Sequence, residues 1–360
     1  MARGVGAKNK GRAVRGNKPL TILESVRAIK STTNPYIVQL IESLRKVPNV
    51  KVRMFSYRTA ILGRYDVYHV HWPEVNFGGH KRLGRVSRRL LATLFLARLM
   101  LTRTSVVRTW HNLERPQGLS RYDHFLLDSF ERLTTLRIGL NEDTPFPKDG
   151  KLSTVIRHGH YRDWYAGQQH WECTLGRIGF AGAIRRYKGV EDLVSAFMEL
   201  DAPGLTLHIA GRPSTVDLET QLTNIAKGDD RVSFEFKFLD DSEFVREITR
   251  AELVVLPYRH MHNSGIVLAC LSLGRPVLVP DNDVNRKLAA EVGCRWLYFF
   301  EGTLTAEALR EAIEGLRSVP PEEPPDLHQR EWGAAGVDHV VAFRRAIEAR
   351  HLRRGPLEGK

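Results

Sequence analysis

The sequence predicts an α/β protein made of two Rossmann-like, doubly wound domains that face one another across a cleft. Three observations lead there: short apolar runs alternate with helical patterns, the alternation restarts after a polar break, and in the second half polar or glycine-rich turns follow two of the apolar runs. In the first half the strands are Leu20–Val26, Lys51–Phe55, Val67–Val70 and Ser105–Val107, with helices near Tyr36–Lys46, Arg82–Leu101 and Tyr122–Thr134. Thr154-Val155-Ile156 closes that half. His158-Gly159-His160 then interrupts the strand pattern and Gly167-Gln168-Gln169-His170 is polar, which marks a hinge at about 157–174. The pattern resumes with Gly176–Ala181, Leu205–Ile209, Val232–Phe236, Leu253–Leu256 and Pro276–Val279. The proline-rich stretch 318–325 reads as a stiff linker into a last helix near Trp332–Leu352. The expected division is a basic disordered tail at 1–17, a first domain at 18–158, a second at 159–330 and a C-terminal helix at 331–352.

A chain of 360 residues accommodates two domains of ordinary size, and a composition of 42% hydrophobic and 26% charged residues excludes both a disordered chain and a multi-span membrane protein. Cys173, Cys270 and Cys294 lie far apart without CxxC spacing, so neither a zinc site nor a disulfide framework is indicated and a reducing cytoplasm is the simplest setting. The basic N-terminus has no long apolar core or small-residue cleavage site, so no signal peptide is expected. Charge is unevenly spread. Residues 1–110 carry 22 Lys and Arg against 4 Asp and Glu, a net of +18, whereas the other 250 carry 32 against 37, a net of −5. A nucleic acid, an anionic membrane or an anionic glycolipid would each suit such a first domain.

The stretch 81–101 narrows that choice. At roughly 100° per residue, Lys81, Arg82, Arg85, Arg88 and Arg89 fall on one side of a helix and Leu83, Val86 and Leu90 on the other, a pattern suited to a helix lying in a membrane interface. The apolar run Leu90–Leu101 is interrupted by Arg98 and is too short for a bilayer that needs ~20 residues. The alternative is a core helix with a solvated basic end.

Two turns in the second half carry phosphate-binding character. Tyr258 to Gly265 follows the apolar Leu253–Pro257 and precedes a helix-like segment from Ile266, so a helix beginning at Asn263-Ser264-Gly265 would offer free backbone N–H groups to an anion. Gly274–Pro280 reads as the next parallel strand, which puts that turn at the carboxyl edge of a sheet. Phe180-Ala181-Gly182-Ala183-Ile184-Arg185-Arg186-Tyr187-Lys188-Gly189 opens the second domain as strand, turn and helix start; Arg185 and Lys188 beside Gly182 could neutralise a departing diphosphate. Tyr258, His262 and Asn263 would orient the donor. In the first half, Tyr65 through His71, Trp72 and Glu74 forms a strand ending in an imidazole, an indole and a carboxylate, with Trp72 placed to pack on a sugar face and Glu74 to act as general base. His111, after the next strand, is a second candidate base. The His-x-His spacing lacks a third ligand fixed by sequence, so no metal is expected.

At these residues the chain resembles the GDP-mannose:glycolipid 4-β-D-mannosyltransferases of the xanthan pathway, glycosyltransferase family 94 of the GT-B superfamily. The resemblance rests on Thr33-Asn34-Pro35-Tyr36, Arg64 to Val67 and His71 to Glu74, Val106 to Leu113, His158 to Trp164, Tyr187 to Glu191, and Leu256 to Gly265. It implies a GT-B fold, GDP-mannose as donor without further cofactor, a polyprenyl-diphosphate-linked oligosaccharide as acceptor, inversion to a β-mannoside in exopolysaccharide synthesis, and peripheral attachment at the cytoplasmic face of the plasma membrane with no nucleic-acid partner. Asn34, Tyr36, His160 and Arg162 join His71 and Trp72 as implied acceptor or cleft residues. The retaining GT-B branch typically has an arginine and two glutamates where this chain has Ala183, Met261 and Ala269, which argues against retention and leaves the nucleotide-base contacts unassigned. The alternatives are a GT-B transferase using a glucose or glucuronate donor and a non-catalytic basic binding module.

Overall fold

The computed structural model describes residues 18–77, 82–102, 104–112, 115, 118–259, 261–263 and 265–352. The tail at 1–17 lies outside the described residues. The first domain has strands β1 (Leu20–Glu24), β2 (Val50–Arg53), β3 (Val67–Val70), β4 (Ser105–Trp110), β5 (Thr134–Gly139) and β6 (Leu152–Val155), all parallel, in the order β2-β1-β3-β4-β5-β6. The second has β7 (Arg177–Ala181), β8 (Thr206–Ala210), β9 (Val232–Glu235), β10 (Leu253–Val255), β11 (Val277–Pro280) and β12 (Leu297–Phe300), also parallel, in the order β12-β11-β10-β7-β8-β9. Strands of this kind are buried on both faces, which is why the central ones read as unbroken apolar runs. β5 and β12 were not among the expected strands.

Strand order reverses between β1 and β3 in one sheet and between β7 and β10 in the other. At such switch points neighbouring crossovers leave in opposite directions and open a crevice at the strands' carboxyl ends. The loops that follow β7 and β10 are the two phosphate-like turns, and the loop after β3 carries His71, Trp72 and Glu74.

The first sheet is covered on both faces. One face packs Leu20, Ile22, Val67 and Val107 against the helix Pro35–Lys46 and, from the far end of the chain, the helix Trp332–Leu352 through Trp332, Ala335, Val340, Phe343 and Ala346. The C-terminal helix therefore crosses back to the first domain. The other face packs Leu23, Tyr68 and Val106 against Ala92, Phe95, Leu96 and Leu99 of the helix Arg82–Leu101 and against Leu126, Leu127 and Phe130 of the helix Arg121–Leu133. The two crossings between the domains are tied together, since His160 N–H donates to Arg330 O (3.1 Å), Trp332 Nε1 to His160 O (2.7 Å) and Arg162 Nη2 to Pro325 O (2.6 Å).

The helix Arg82–Leu101 is a core helix on one face and exposes an apolar stripe on the other. Its inner face is core, as just described. Its outer face exposes Val86 (66%), Leu90 (61%), Leu94 (49%) and Leu101 (83%), which recur at helical spacing as one apolar stripe. Of the basic side, Arg89 forks onto Asp123 (2.7 and 3.0 Å), while Lys81 and the side chains of Arg82 and Arg85 lie outside the described residues; Arg98, which interrupts the apolar run, turns inward to Tyr65 Oη (2.7 Å) and Gly63 O (2.6 Å). Among the described residues no helix is long and apolar enough to cross a membrane.

Candidate active site

The turns after β7 and β10 meet in a cleft of about 960 Å³ between the domains, at the upper end of the ~300–1,000 Å³ usual for small-molecule sites. Gly182, Arg185, Lys188, Tyr258, Asn263 and Gly265 all line it. Gly182 has φ +128°, a backbone region that side-chain-bearing residues avoid, and a Cβ there would come within 4.0 Å of Lys188 Nζ and 3.1 Å of Ile266. A Cβ at Gly265, the first residue of the helix Gly265–Ser272, would come within 2.9 Å of Tyr161 Oη. Both glycines keep backbone bare at the cleft wall, as close approach of a phosphate requires. Ser264 lies outside the described residues.

Lys188 closes the short turn Arg186–Lys188 and is only 6% exposed, with its ammonium 5.1 Å from the centroid of the Tyr258 ring and 6.0 Å from that of Phe180. Burial, and then the charge of Arg185, pushes its pKa down to about 8. A cation desolvated in this way gains when an anion arrives. The Arg185 guanidinium folds onto the backbone, donating to Ile184 O (2.8 Å) and Arg212 O (3.2 Å). Arg212 is a third cation at the cleft, and Asp241 is the one carboxylate among its described lining residues. Asp241 accepts from Trp164 Nε1 (3.1 Å), and burial raises its carboxyl above the usual range.

On the first-domain side, Asn34 and Pro35 line the same cleft; Asn34 caps the helix Pro35–Lys46 by accepting from Tyr36 N–H (3.0 Å). Tyr36 is buried beneath, edge-on to His111 at 5.0 Å and against His158 at 4.6 Å between ring centroids. Glu74 and His111 share a separate pocket of about 20 Å³ with His71, Trp72, Arg108, Asn112 and Arg115. Glu74 opens the short helix Glu74–Phe77, and burial raises its carboxyl against the pull of its own backbone N–H and of Arg108. Burial and the neighbouring His71 hold His111 well below the usual imidazole range. Asn263 joins the two sides: its Nδ2 donates to His111 O (3.2 Å) and its Oδ1 accepts from Asn141 Nδ2 (2.6 Å).

Five expected placements change, the first being Tyr36, which lies buried beneath the cleft rather than lining it. Trp72 stacks on the His111 imidazole at 4.2 Å and 24°, so an indole face expected to meet a sugar is spent on orienting a histidine. His160 and Arg162 are not cleft residues: Nε2 of buried His160 lies 3.1 Å from Glu331, and Arg162 holds the returning C-terminal segment. His262 faces a neighbouring interdomain cavity of about 370 Å³ rather than the larger cleft. Asp241, Arg212 and Asn141 were not picked out in the sequence. Asp241 sits at a helix start directly after Asp240, an ordinary capping pattern that does not set it apart in the sequence.

Residues 176–317 match the family model described as glycosyl transferases group 1. Over 328 residues, 91% of this chain and 93% of the relative, the sequence is 38% identical to the GDP-mannose:glycolipid 4-beta-D-mannosyltransferase of Xanthomonas campestris pv. campestris. Among solved structures it resembles the sucrose-phosphate synthase of Thermosynechococcus elongatus (TM-score 0.62, 12% identity, 92% of this chain and 100% of that one). It also resembles Anabaena HepE solved with UDP and glucose (TM-score 0.56, 15% identity, 91% and 98%). These two share the fold.

Proposed function

Because the chain belongs to the glycosyltransferase family of these Xanthomonas mannosyltransferases and has the GT-B arrangement, we propose that it moves mannose from GDP-mannose to an oligosaccharide on a polyprenyl diphosphate, with inversion. It is a glycosyltransferase, and the observation behind the donor site is Lys188, a desolvated ammonium beside bare glycine backbone at a switch point. An acceptor hydroxyl loses its proton to Glu74 or His111 and attacks the anomeric carbon as GDP departs. Lys188, Arg185 and the N–H groups at the start of the helix Gly265–Ser272 stabilise the leaving diphosphate, so the residues supply the charge without a metal. Tyr258 and Asn263 hold the donor, and the glycolipid is met at the cytoplasmic face of the plasma membrane in exopolysaccharide synthesis. The test is product analysis with GDP-mannose, UDP-glucose and UDP-glucuronate against membrane-extracted lipid acceptors. Transfer from a uridine donor but not from GDP-mannose sinks the reading.

Asp241 supports a guanine donor. Guanine presents two adjacent donors, N1–H and N2–H, to a carboxylate, whereas uracil presents a single N–H between two carbonyls. With Asp241→Asn, competition by GDP weakens by about 1.5–3 kcal/mol, roughly 10–150-fold, while competition by UDP changes little. Equal weakening of both nucleotides removes Asp241 from base recognition.

The apolar stripe on Arg82–Leu101 supports peripheral membrane attachment. Leu90→Asp with Leu94→Asp lowers partition onto anionic vesicles by about 10²-fold, on the scale of two partly exposed leucines denied burial. Unchanged co-sedimentation of the double variant rules out the stripe as the contact.

A further inference from the structure

Glu24 ends β1 with a side chain that is wholly buried, yet its recorded ion partners are two imidazoles. Strand register sets it opposite His69, whose Nδ1 lies 2.9 Å from Glu24 Oε1, and His71 Nε2 lies 3.4 Å from Oε2. His71 Nδ1 in turn lies 2.9 Å from His111 Nε2. The ends of three adjacent strands, β1, β3 and β4, thus pass a line of polar atoms from the domain core to the small pocket where His111 sits beside Glu74.

The protons along this line follow from the carboxylate. At 3.4 Å His71 Nε2 and Glu24 Oε2 are an ion-pair contact rather than a hydrogen bond, and neither atom has a hydrogen-bond partner among the described residues; because an ionised Glu24 only accepts, the hydrogen of His71 sits on Nε2, facing it, and Nδ1 presents a lone pair. That lone pair requires a hydrogen on His111 Nε2, which leaves His111 Nδ1 as a lone pair with no partner among the described residues. Trp72 stacked on one side and Tyr36 edge-on hold the ring in place.

We infer that Glu24 and His71 are positioning residues that fix His111 in the tautomer of a general base, its Nδ1 taking the proton of the acceptor hydroxyl. The inference rests on the transfer reaction proposed above. As the acceptor O–H bond breaks, its proton goes to Nδ1 while the oxygen forms the new bond to the anomeric carbon. The anomeric C–O bond breaks with its electron pair leaving on the diphosphate. The Nε2–H of the imidazolium stays hydrogen-bonded to His71 Nδ1, with the Glu24 carboxylate beyond it to offset the positive charge. Burial and neighbouring charge keep His71 and His111 neutral in the resting state, as the tautomer requires. Burial alone would raise the Glu24 carboxyl, but His69 and His71 hold it at about 2, and burial with the charge of His69 pushes His71 down to about 4. The other charged groups felt by His111 are His158 from the hinge, His69 and Arg108, with Glu74 and Arg115 sharing its pocket; Glu24 also meets His339 of the C-terminal helix.

The test uses the full chain with Glu24→Gln, Glu24→Asp and His111→Ala, following histidine ring nitrogen shifts by NMR and kcat against pH. In wild type, His111 is expected as the Nε2–H tautomer; Glu24→Gln gives a mixture, a kcat lower by 10-fold or more with donor KM unchanged, and a displaced acid limb, and Glu24→Asp restores part of each. The NMR readout needs no substrate, so it stands even if the donor proves to be another sugar nucleotide, a failure that the wild-type product analysis alone would reveal. A wild-type Nδ1–H tautomer, an unaltered tautomer in Glu24→Gln, or near-normal turnover in His111→Ala overturns the inference. So does loss of wild-type activity on chelation, because Glu24, His69 and His71 lie close enough together to hold a metal.

Discussion

Lys188→Ala lowers kcat/KM for the sugar donor by ~10²–10³-fold, a loss of about 2.7–4 kcal/mol, the scale of one electrostatic donor removed from a developing anion. The effect is large because the ammonium is desolvated before the diphosphate arrives. Arg185→Ala loses less, since that guanidinium already spends hydrogen bonds on backbone carbonyls. The sign with pH follows from the lowered pKa. Lys188 is charged below about 8, so kcat/KM is level there and falls as pH rises through that value, whereas a bound diphosphate raises the pKa and moves the kcat limb upward. Lys188→Ala loses the alkaline limb. A variant that retains both the rate and the limb places the diphosphate elsewhere.

His111→Ala lowers kcat by roughly 10²–10⁴-fold, the usual contribution of a positioned base, while the affinity for GDP-mannose measured by calorimetry barely changes. The separation follows from placement, because the cations stand at the second domain's loops and His111 stands at the end of β4 in the first. Glu74→Gln falls well short of that loss. Its carboxyl shares the pocket but stands outside the line that begins at Glu24. The reverse ranking, with Glu74→Gln inactive and His111→Ala active, hands the base to the carboxylate. Loss of donor binding in His111→Ala points instead to its backbone contact with Asn263.

The two phosphate-like turns were legible because glycine and cations directly after an apolar strand form a local signal, and the alternation of elements made the paired domains equally plain. β5 was hidden by Arg137, which breaks an apolar run yet is fully buried, its guanidinium forked between Glu131 and Asp149 at 2.6–2.8 Å. Those partners come from a preceding helix and a following loop, so no periodicity within the strand reveals them. Glu24 was missed for a related reason. A single acid at a strand end looks solvated until strand register sets His69 and His71 beside it from far along the chain. His160 and Arg162 erred the other way, since polar residues at a hinge resemble cleft residues until the returning C-terminal segment claims them.

The return of the helix Trp332–Leu352 to the first sheet has a consequence for biosynthesis. While residues 18–158 leave the ribosome, one face of that sheet has only part of its cover, and Val107 of the sheet with Ile37, Leu40 and Ile41 of the helix Pro35–Lys46 await Val340 and Phe343. The whole second domain is translated in between and has its own core, so it can close before the first is finished. During that interval the half-covered sheet is the surface for a chaperone to shield, and the domain begun first is the one completed second.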